Sequence, residues 1–212
     1  MAYSLLVRDV WRALNRALIS TALVFPLAAV TRPASDLTVV LDFQGSHSDR
    51  SILEMQREAQ TILKASGIQL DWRTRSQASR ESFNDLVLLK FRGTCDLSTP
   101  PQAFGKRGPL GFTYVSEGSL LPFAEIACDQ VAASVRSVMS RNDFESADLL
   151  LGRALGRVVA HELVHILTGS CEHGLEGIHK AALSGRQLIA DSLPLSAADA
   201  IRLRQRNRDK SR

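Results

Sequence analysis

The chain has 212 residues, of which 45% are hydrophobic and 23% charged, and it contains no internal repeat or long low-complexity segment. These features exclude a solenoid and a disordered chain, and they indicate about one globular domain with a buried core. The net charge of +4 comes from the two ends, whereas residues 31–200 are mildly acidic. Because a nucleic-acid surface needs basic residues spread over a folded face, we predict no nucleic-acid partner.

Residues 1–30 resemble a secretory signal peptide. Three arginines precede an apolar run over residues 17–30, and this run of 14 residues is shorter than the roughly 20 that a membrane-spanning helix needs. Asp9 and Trp11 are unusual in the basic part of a signal peptide, so an amphipathic helix on a cytosolic protein is the alternative. We predict a cleaved signal or an amino-terminal anchor, and hence a periplasmic, secreted or membrane-associated protein.

The hydrophobic patterns after this segment predict an α/β (α+β) fold with a mixed, twisted sheet. Strands are expected at Leu37–Phe43, 68–72, Leu86–Phe91, 111–115 and 124–128, with Leu86–Phe91 apolar enough to be central. Helices are expected from a cap at Ser48 or Asp49 to about Ser66, over 129–140, and from a cap at Ser146 through 147–168. A Pro/Gly-rich loop is expected at 99–109.

The basic carboxyl-terminal segment is predicted to lie outside the folded domain. Residues 201–212 include six basic residues and one acidic residue. Such an end is usually solvated and frayed. We therefore place the domain at 31–200 and expect 201–212 to be a disordered tail.

Three cysteines, Cys95, Cys128 and Cys171, are present. Cys95 and Cys128 each end a predicted strand region, so a disulfide between them is geometrically reasonable in an exported protein. In a cytosolic protein, three reduced thiols would be expected instead.

The motif with the clearest chemistry lies on the last predicted helix. His161 and His165 are four residues apart, so both imidazoles lie on one helix face and can bind one metal ion. Glu162 neighbours that face, where it can act as a general base rather than a ligand. Gly169 is predicted to end the helix in the left-handed conformation and to turn the chain back toward the metal.

The stretch VVAHELVHILTGSCEHG, residues 158–174, resembles the active-site helix of zincin metallopeptidases. The order of elements before it is similar to that of a metzincin-type catalytic domain, with a mixed sheet, a backing helix and a motif-bearing helix. This resemblance implies a Zn²⁺ cofactor and a peptide or protein substrate. It also implies an edge strand above the metal, at Gly111–Val115 or within Leu120–Ala127, that binds the substrate as an added strand. A tyrosine on such a strand, Tyr114, is more typical of a core residue than of a catalytic one.

The sequence departs from the metzincin pattern after His165. Thr168 and Cys171 occupy the positions of the family's glycine and third ligand, and the next histidine, His173, comes two residues later. His179 stands where the family has a methionine beneath the metal, and no methionine follows the motif. The chain therefore resembles a small, divergent member of this class.

We predict His173 as the third ligand, because three neutral imidazoles leave an open position for water in a zinc site. Cys171 is the principal alternative, since thiolate is a good zinc ligand, although a thiolate would weaken the Lewis acidity of the metal and is prone to oxidation. The remaining candidates are His179 and the carboxylates Glu172, Glu176 and Asp191.

The predicted function is that of a zinc metalloendopeptidase. His161, His165 and His173 would bind Zn²⁺, and Glu162 would take a proton from the attacking water and pass it to the leaving amine. The alternative is a catalytically degenerate zincin-like module that binds zinc or peptide without cleaving. A fourth protein ligand would favour that alternative, because structural zinc sites are closed.

Overall fold

The computed structural model describes residues 37–98 and 108–210. The predicted signal segment 1–30 and most of the Pro/Gly-rich loop lie outside the described residues. Among the described helices, none has the length and apolar character needed to cross a membrane.

Five strands form one mixed sheet. In chain order they are β1 (Leu37–Phe43), β2 (Leu70–Thr74), β3 (Leu86–Arg92), β4 (Gly111–Ser116) and β5 (Ser119–Ala127). The spatial order is β2-β1-β3-β5-β4, in which all neighbours are parallel except β4 and β5. The predicted mixed sheet with a central β3 is confirmed, and β4 is the edge strand next to the helix that carries the motif.

The helices are α1 (Asp49–Lys64), α2 (Arg75–Ala78), α3 (Cys128–Arg136), α4 (Ala147–Thr168), α5 (Gly185–Ile189) and α6 (Ala197–Lys210). The Ser48 side chain caps α1 by accepting a hydrogen bond from the backbone N–H of Ser51. Ser146 is the N-cap residue of α4, as expected, but its side chain makes no capping hydrogen bond. A 3-10 helix, Arg141–Ser146, instead leads directly into α4.

Helix α4 crosses α1 at backbone contact distance, and two glycines make this possible. A Cβ atom at Gly152 would lie 2.5 Å from the Ser51 carbonyl oxygen, and one at Gly156 would lie 2.7 Å from that of Met55. Any side chain at these positions would therefore push the two helices apart. Helix α4 also buries Leu151, Leu155, Val159 and Leu163 in the main hydrophobic core.

Arg157 joins α4 to α1 and to the segment that contains α5. Its side chain is fully buried, and its Nε donates to the Glu58 carboxylate on α1 at 2.8 Å. Its two terminal nitrogens donate to the carbonyl oxygens of Gln187 and Ala190 at 2.6 and 2.7 Å. A buried charge is tolerated only when it is paired and hydrogen-bonded, and both conditions are met here.

Cys95 and Cys128 are joined by a disulfide with a sequence separation of 33. The bond links the segment after β3 to the first residue of α3. Closing a loop of this length stabilises a fold by about 3–4 kcal/mol in the chain-entropy model. Both half-cystines are buried in the main core.

The prediction of a disordered tail is wrong for residues 201–210, which continue α6. Leu203 is fully buried in the main core. Arg206 pairs with Asp85 at 3.1 Å, and Arg204 donates to the Ala65 carbonyl oxygen just after α1. The charge density of the segment suggested a solvated end, but its basic side chains have specific acceptors at the end of α1 and before β3.

We predict that Gly156→Ala destabilises the protein by about 1–3 kcal/mol, the usual cost of overpacking a tight contact. Intrinsic helix propensity alone predicts the opposite sign, with alanine favoured by about 1 kcal/mol. Thermal or urea unfolding measures the difference. Gly108→Ala, where an added Cβ meets nothing within 4 Å, is the control and should leave stability unchanged. An increase in stability for Gly156→Ala would contradict the packing described here.

Candidate metal centre

Helix α4 and the loop after it place three histidines together. His161 and His165 lie one turn apart on α4. Gly169 ends the helix with φ 63°, a left-handed conformation that favours glycine, and its N–H is hydrogen-bonded to the His165 carbonyl oxygen. The chain then turns back, and the Gly174 N–H donates to the carbonyl oxygen of His179 at 2.9 Å. This return brings His173 beside the two helical histidines.

The Nε2 atoms of the three histidines lie close together, with that of His165 in the middle. His165 Nε2 lies 3.1 Å from His161 Nε2 and 3.2 Å from His173 Nε2. All three ligand atoms are within 4.8 Å of one another, so this group could hold a metal ion. A tetrahedral zinc ion with Zn–N distances of about 2.0–2.1 Å separates its ligand atoms by about 3.3 Å. The two distances from His165 Nε2 match this separation.

Backbone carbonyls fix the ring orientation of the two helical histidines. His161 Nδ1 lies 3.0 Å from the Ile178 carbonyl oxygen, and His165 Nδ1 lies 2.7 Å from that of Ser170. A carbonyl oxygen accepts only, so each Nδ1 carries the hydrogen and each Nε2 presents a lone pair. Two lone pairs 3.1 Å apart repel each other unless a cation lies between them, which is the arrangement of a metal site.

Burial keeps these imidazoles neutral, the form that binds metal. Desolvation lowers the pKa of His161 to about 4, against the opposing effect of the Ile178 carbonyl. Desolvation also lowers the pKa of His165, against the effect of the Ser170 carbonyl. Both residues are therefore unprotonated at neutral pH and available as ligands.

Glu162 lies between α4 and the edge strand β4. Its side chain is nearly buried, and Thr113 Oγ1 donates to Glu162 Oε2 at 2.9 Å. Desolvation raises the pKa of Glu162 to about 7, while the bond from Thr113 acts in the opposite direction. A cation held by the histidines would favour the carboxylate and lower this pKa. A carboxyl group with a pKa near neutrality can both accept and return a proton.

Gly111 allows β4 to approach this carboxylate. A Cβ atom at Gly111 would lie 2.9 Å from Glu162 Oε1 and 3.0 Å from Val158 Cγ1. The close contact between β4 and α4 therefore depends on a position without a side chain.

The histidine cluster opens onto a cleft of about 820 Å³. His161, Glu162, His165 and His173 form part of its wall. Much of the remaining wall is apolar and includes Leu110, Phe112, Leu120, Val158 and Leu183. Residues of β4 and of the segments 180–185 and 130–137 complete the wall. This lining suits a ligand with apolar groups.

The other predicted ligand candidates lie elsewhere. Cys171 is exposed and lines the cleft as a free thiol, but it does not belong to the converging group. Glu172, Glu176 and Asp191 are also outside that group. His179 is fully buried and faces the Nδ1 side of His165, with its Nε2 3.2 Å from that atom. The Nε2 atom of His165 points away from it toward the other two ligands.

Tyr114 lies away from the metal-binding residues. Its hydroxyl donates to Glu125 at 3.3 Å, and its ring stacks on Phe123. This environment agrees with the expectation of a packing residue rather than a catalytic one.

Sequence reasoning missed three residues of the site, namely Thr113, Gly111 and Asp199. The alternation along β4, with Gly111 and Thr113 on one face, was the available signal for the first two. Asp199 lies in the first turn of α6, where an acidic residue is common for helix capping alone. Its contact with His179 Nδ1 at 3.2 Å joins residues 20 positions apart, and no local sequence pattern predicts such a contact.

We predict that His173→Ala lowers zinc affinity by more than the roughly 10–100-fold that loss of a supporting hydrogen bond costs a metal site. Zinc content after dialysis and competition with a chromogenic chelator measure this change. Cys171→Ser is the matched control in the same loop and should retain full zinc affinity. Loss of zinc in Cys171→Ser, with retention in His173→Ala, would reassign the third ligand to the thiol.

The resemblance read from residues 158–174 has no support beyond the chain itself. Comparison of the chain with known protein families, with curated proteins and with solved structures finds no match.

Proposed function

We propose that this protein is a zinc-dependent metallopeptidase with a divergent zincin-like catalytic domain. The observation that carries the proposal is the convergence of three histidine Nε2 atoms beside the Glu162 carboxylate, in a cleft bordered by the edge strand β4. A metal site that only stabilises a fold needs no buried carboxylate next to its ligands.

Three neutral imidazoles favour zinc among the common divalent ions, and a set of three protein ligands leaves a position open to the cleft. When bound there, zinc would act as a Lewis acid that polarises the substrate carbonyl and makes a water molecule more acidic. His161, His165 and His173 are the residues that would hold it.

Glu162 is the proton carrier in this proposal. Its carboxylate takes the proton of the attacking water, and the C–N bond of the peptide breaks as the same proton passes to the leaving nitrogen. The bond from Thr113 holds Oε2 and leaves Oε1, which lies beside Gly111, as the oxygen that accepts the proton. Because Oε2 is held by Thr113, the carboxylate cannot rotate freely, and Oε1 stays in one position as the proton acceptor.

Strand β4 supplies a binding surface for an extended peptide. Among the described strands it pairs only with β5, so its outer edge can accept an added strand. Phe112 and Val115 are partly exposed along it, at 39% and 53% of their surface. With the apolar cleft wall, they favour a peptide that carries apolar side chains near the scissile bond.

We also propose that the protein is exported or anchored at a membrane by residues 1–30. The Cys95–Cys128 disulfide supports an oxidising compartment, because such bonds are rare in reducing cytosol.

We predict that Glu162→Gln lowers the rate of peptide hydrolysis by about 10²–10⁴-fold, the usual contribution of a positioned acid–base group. Zinc content should remain that of the wild type, since Glu162 is not a ligand. Assays with a quenched-fluorescent peptide library, run with and without chelator, measure activity. Glu172→Gln removes the same charge from an exposed position in the ligand loop and should remain fully active.

The same assay distinguishes the proposed peptidase from the rival function, that of a zinc-dependent module that binds peptides without cleaving them. Wild-type protein that retains one zinc ion and binds peptides without cleaving them would establish the rival. Equal hydrolysis rates for wild type and Glu162→Gln would sink the proposed role of the carboxylate.

We predict that Thr113→Val lowers kcat/KM by about 10-fold while zinc affinity stays unchanged. The variant keeps the shape of the side chain but removes the hydrogen bond to Glu162 Oε2, and bonds to charged groups contribute about 1.5–3 kcal/mol. Thr168→Val is the control, because its hydroxyl bonds only to carbonyl oxygens of its own helix. Full activity in Thr113→Val would show that Glu162 needs no such support.

A further inference from the structure

A chain of buried polar side chains ends on the ligand His165. His179 is fully buried, and Asp199 and Ser196 are 2% and 8% exposed. His179 Nδ1 lies 3.2 Å from Asp199 Oδ1, and Ser196 Oγ donates to Asp199 Oδ2 at 2.7 Å. On its other side, His179 Nε2 lies 3.2 Å from His165 Nδ1. We call these three residues, His179, Asp199 and Ser196, the His179 relay.

The contacts fix where the hydrogens lie. A carboxylate accepts only, so the hydrogen of neutral His179 sits on Nδ1 and is donated to Asp199. His179 Nε2 is then an acceptor that faces His165 Nδ1. The Ser170 carbonyl oxygen, 2.7 Å from the same Nδ1, is a second acceptor. Two acceptors thus hold the hydrogen of His165 on Nδ1, which leaves its Nε2 bare.

The relay acts on the histidine at the centre of the cluster. His165 Nε2 is the atom that lies within 3.2 Å of the Nε2 atoms of both other histidines. Among the residues that the structure describes, His161 has by contrast one Nδ1 partner, the Ile178 carbonyl oxygen. Rotation or tautomer exchange of His165 would disturb all three ligand positions, so this ring needs the strongest support.

The relay also ties α6 to the metal centre. Ser196 Oγ accepts a hydrogen bond from the Asp199 N–H at 3.1 Å, in the manner of a helix cap. Asp199 therefore accepts a hydrogen bond from Ser196, at the start of α6, with Oδ2 and contacts His179 with Oδ1. Burying an imidazole and a carboxylate away from water is costly unless both are fully hydrogen-bonded. An apolar residue at 179 would fill the space at lower cost, so packing alone does not account for this histidine.

We infer that His179, oriented by Asp199, is a positioning residue that fixes the tautomer and ring orientation of His165 as a metal ligand. This inference rests on the metal-binding part of the proposed function and is independent of whether the protein cleaves peptides. It assigns α6 a role in the metal centre, since Asp199 and Ser196 belong to the start of that helix.

The test uses the full chain with His179→Asn, His179→Gln and His179→Met. Asparagine retains a donor near the Nδ1 position and can still reach Asp199, but it is too short to contact His165. Glutamine extends toward His165 but gives up the geometry of the Asp199 bond, and methionine removes both bonds. Zinc affinity is measured by chelator competition, and the visible spectrum of the cobalt-substituted protein reports ligand geometry. Melting of the metal-free protein reports stability separately.

We expect all three variants to bind zinc about 10–100-fold more weakly, the usual effect of losing a hydrogen bond that supports a ligand, with altered cobalt absorption bands. Ser51→Ala is the control. Its hydroxyl is buried and donates to Asp148 at 3.1 Å, between α1 and α4. That variant should lower the melting temperature while leaving zinc affinity and the cobalt spectrum unchanged.

The inference is overturned if the His179 variants melt lower but keep wild-type zinc affinity and spectrum, because the relay would then be structural only. It is also overturned, together with the metal centre, if wild-type protein binds no zinc or cobalt. Zinc binding without peptide hydrolysis would contradict the proposed peptidase activity, yet the expected loss of affinity in the His179 variants would still support the relay.

Discussion

The position of helix α4 is the constraint on which the site depends. It must touch α1 on one side and β4 on the other at distances that exclude side chains, which glycines at 152, 156 and 111 permit. Arg157 adds a buried ion pair to Glu58 on α1. Glu162 has to meet Thr113 of β4, and His161 and His165 have to meet carbonyl oxygens of the following loop, all within hydrogen-bond distance. A helix displaced by the width of one methyl group would lose that geometry.

The electrostatics of the site follow from the same packing. Burial disfavours charge on His161 and His165, so both remain neutral and can bind a cation. The same burial raises the pKa of Glu162 to about 7, which makes it a reversible proton acceptor in the absence of metal. A bound cation would offset the cost of burying the Glu162 carboxylate and lower its pKa, while the imidazoles would remain neutral. The same burial thus leaves His161 and His165 able to bind a cation and raises the pKa of the carboxyl group beside them.

Features that depend on local sequence could be predicted, whereas those that depend on tertiary contacts could not. The strand at 37–43, the course of α4 and the left-handed Gly169 follow from residue pattern and from the conformational freedom of glycine. The bond between Thr113 and Glu162 spans 49 residues and depends on the placement of β4. Helix α6 looked like a solvated tail because its stabilising contacts, such as Arg206 with Asp85, lie outside its own sequence.

The loop after α4 holds the third histidine beside the first two. Its residues provide His173 and also the carbonyl oxygens that orient the other two ligands, from Ser170 for His165 and from Ile178 for His161. Ile178 is itself fully buried against Ala160 of α4, so the loop is fixed to the helix that it serves. The positions of the three histidines are therefore set by contacts between this loop and α4. The number of residues between His165 and His173 alone does not set them, which is why the cluster could not be located from the spacing of the motif.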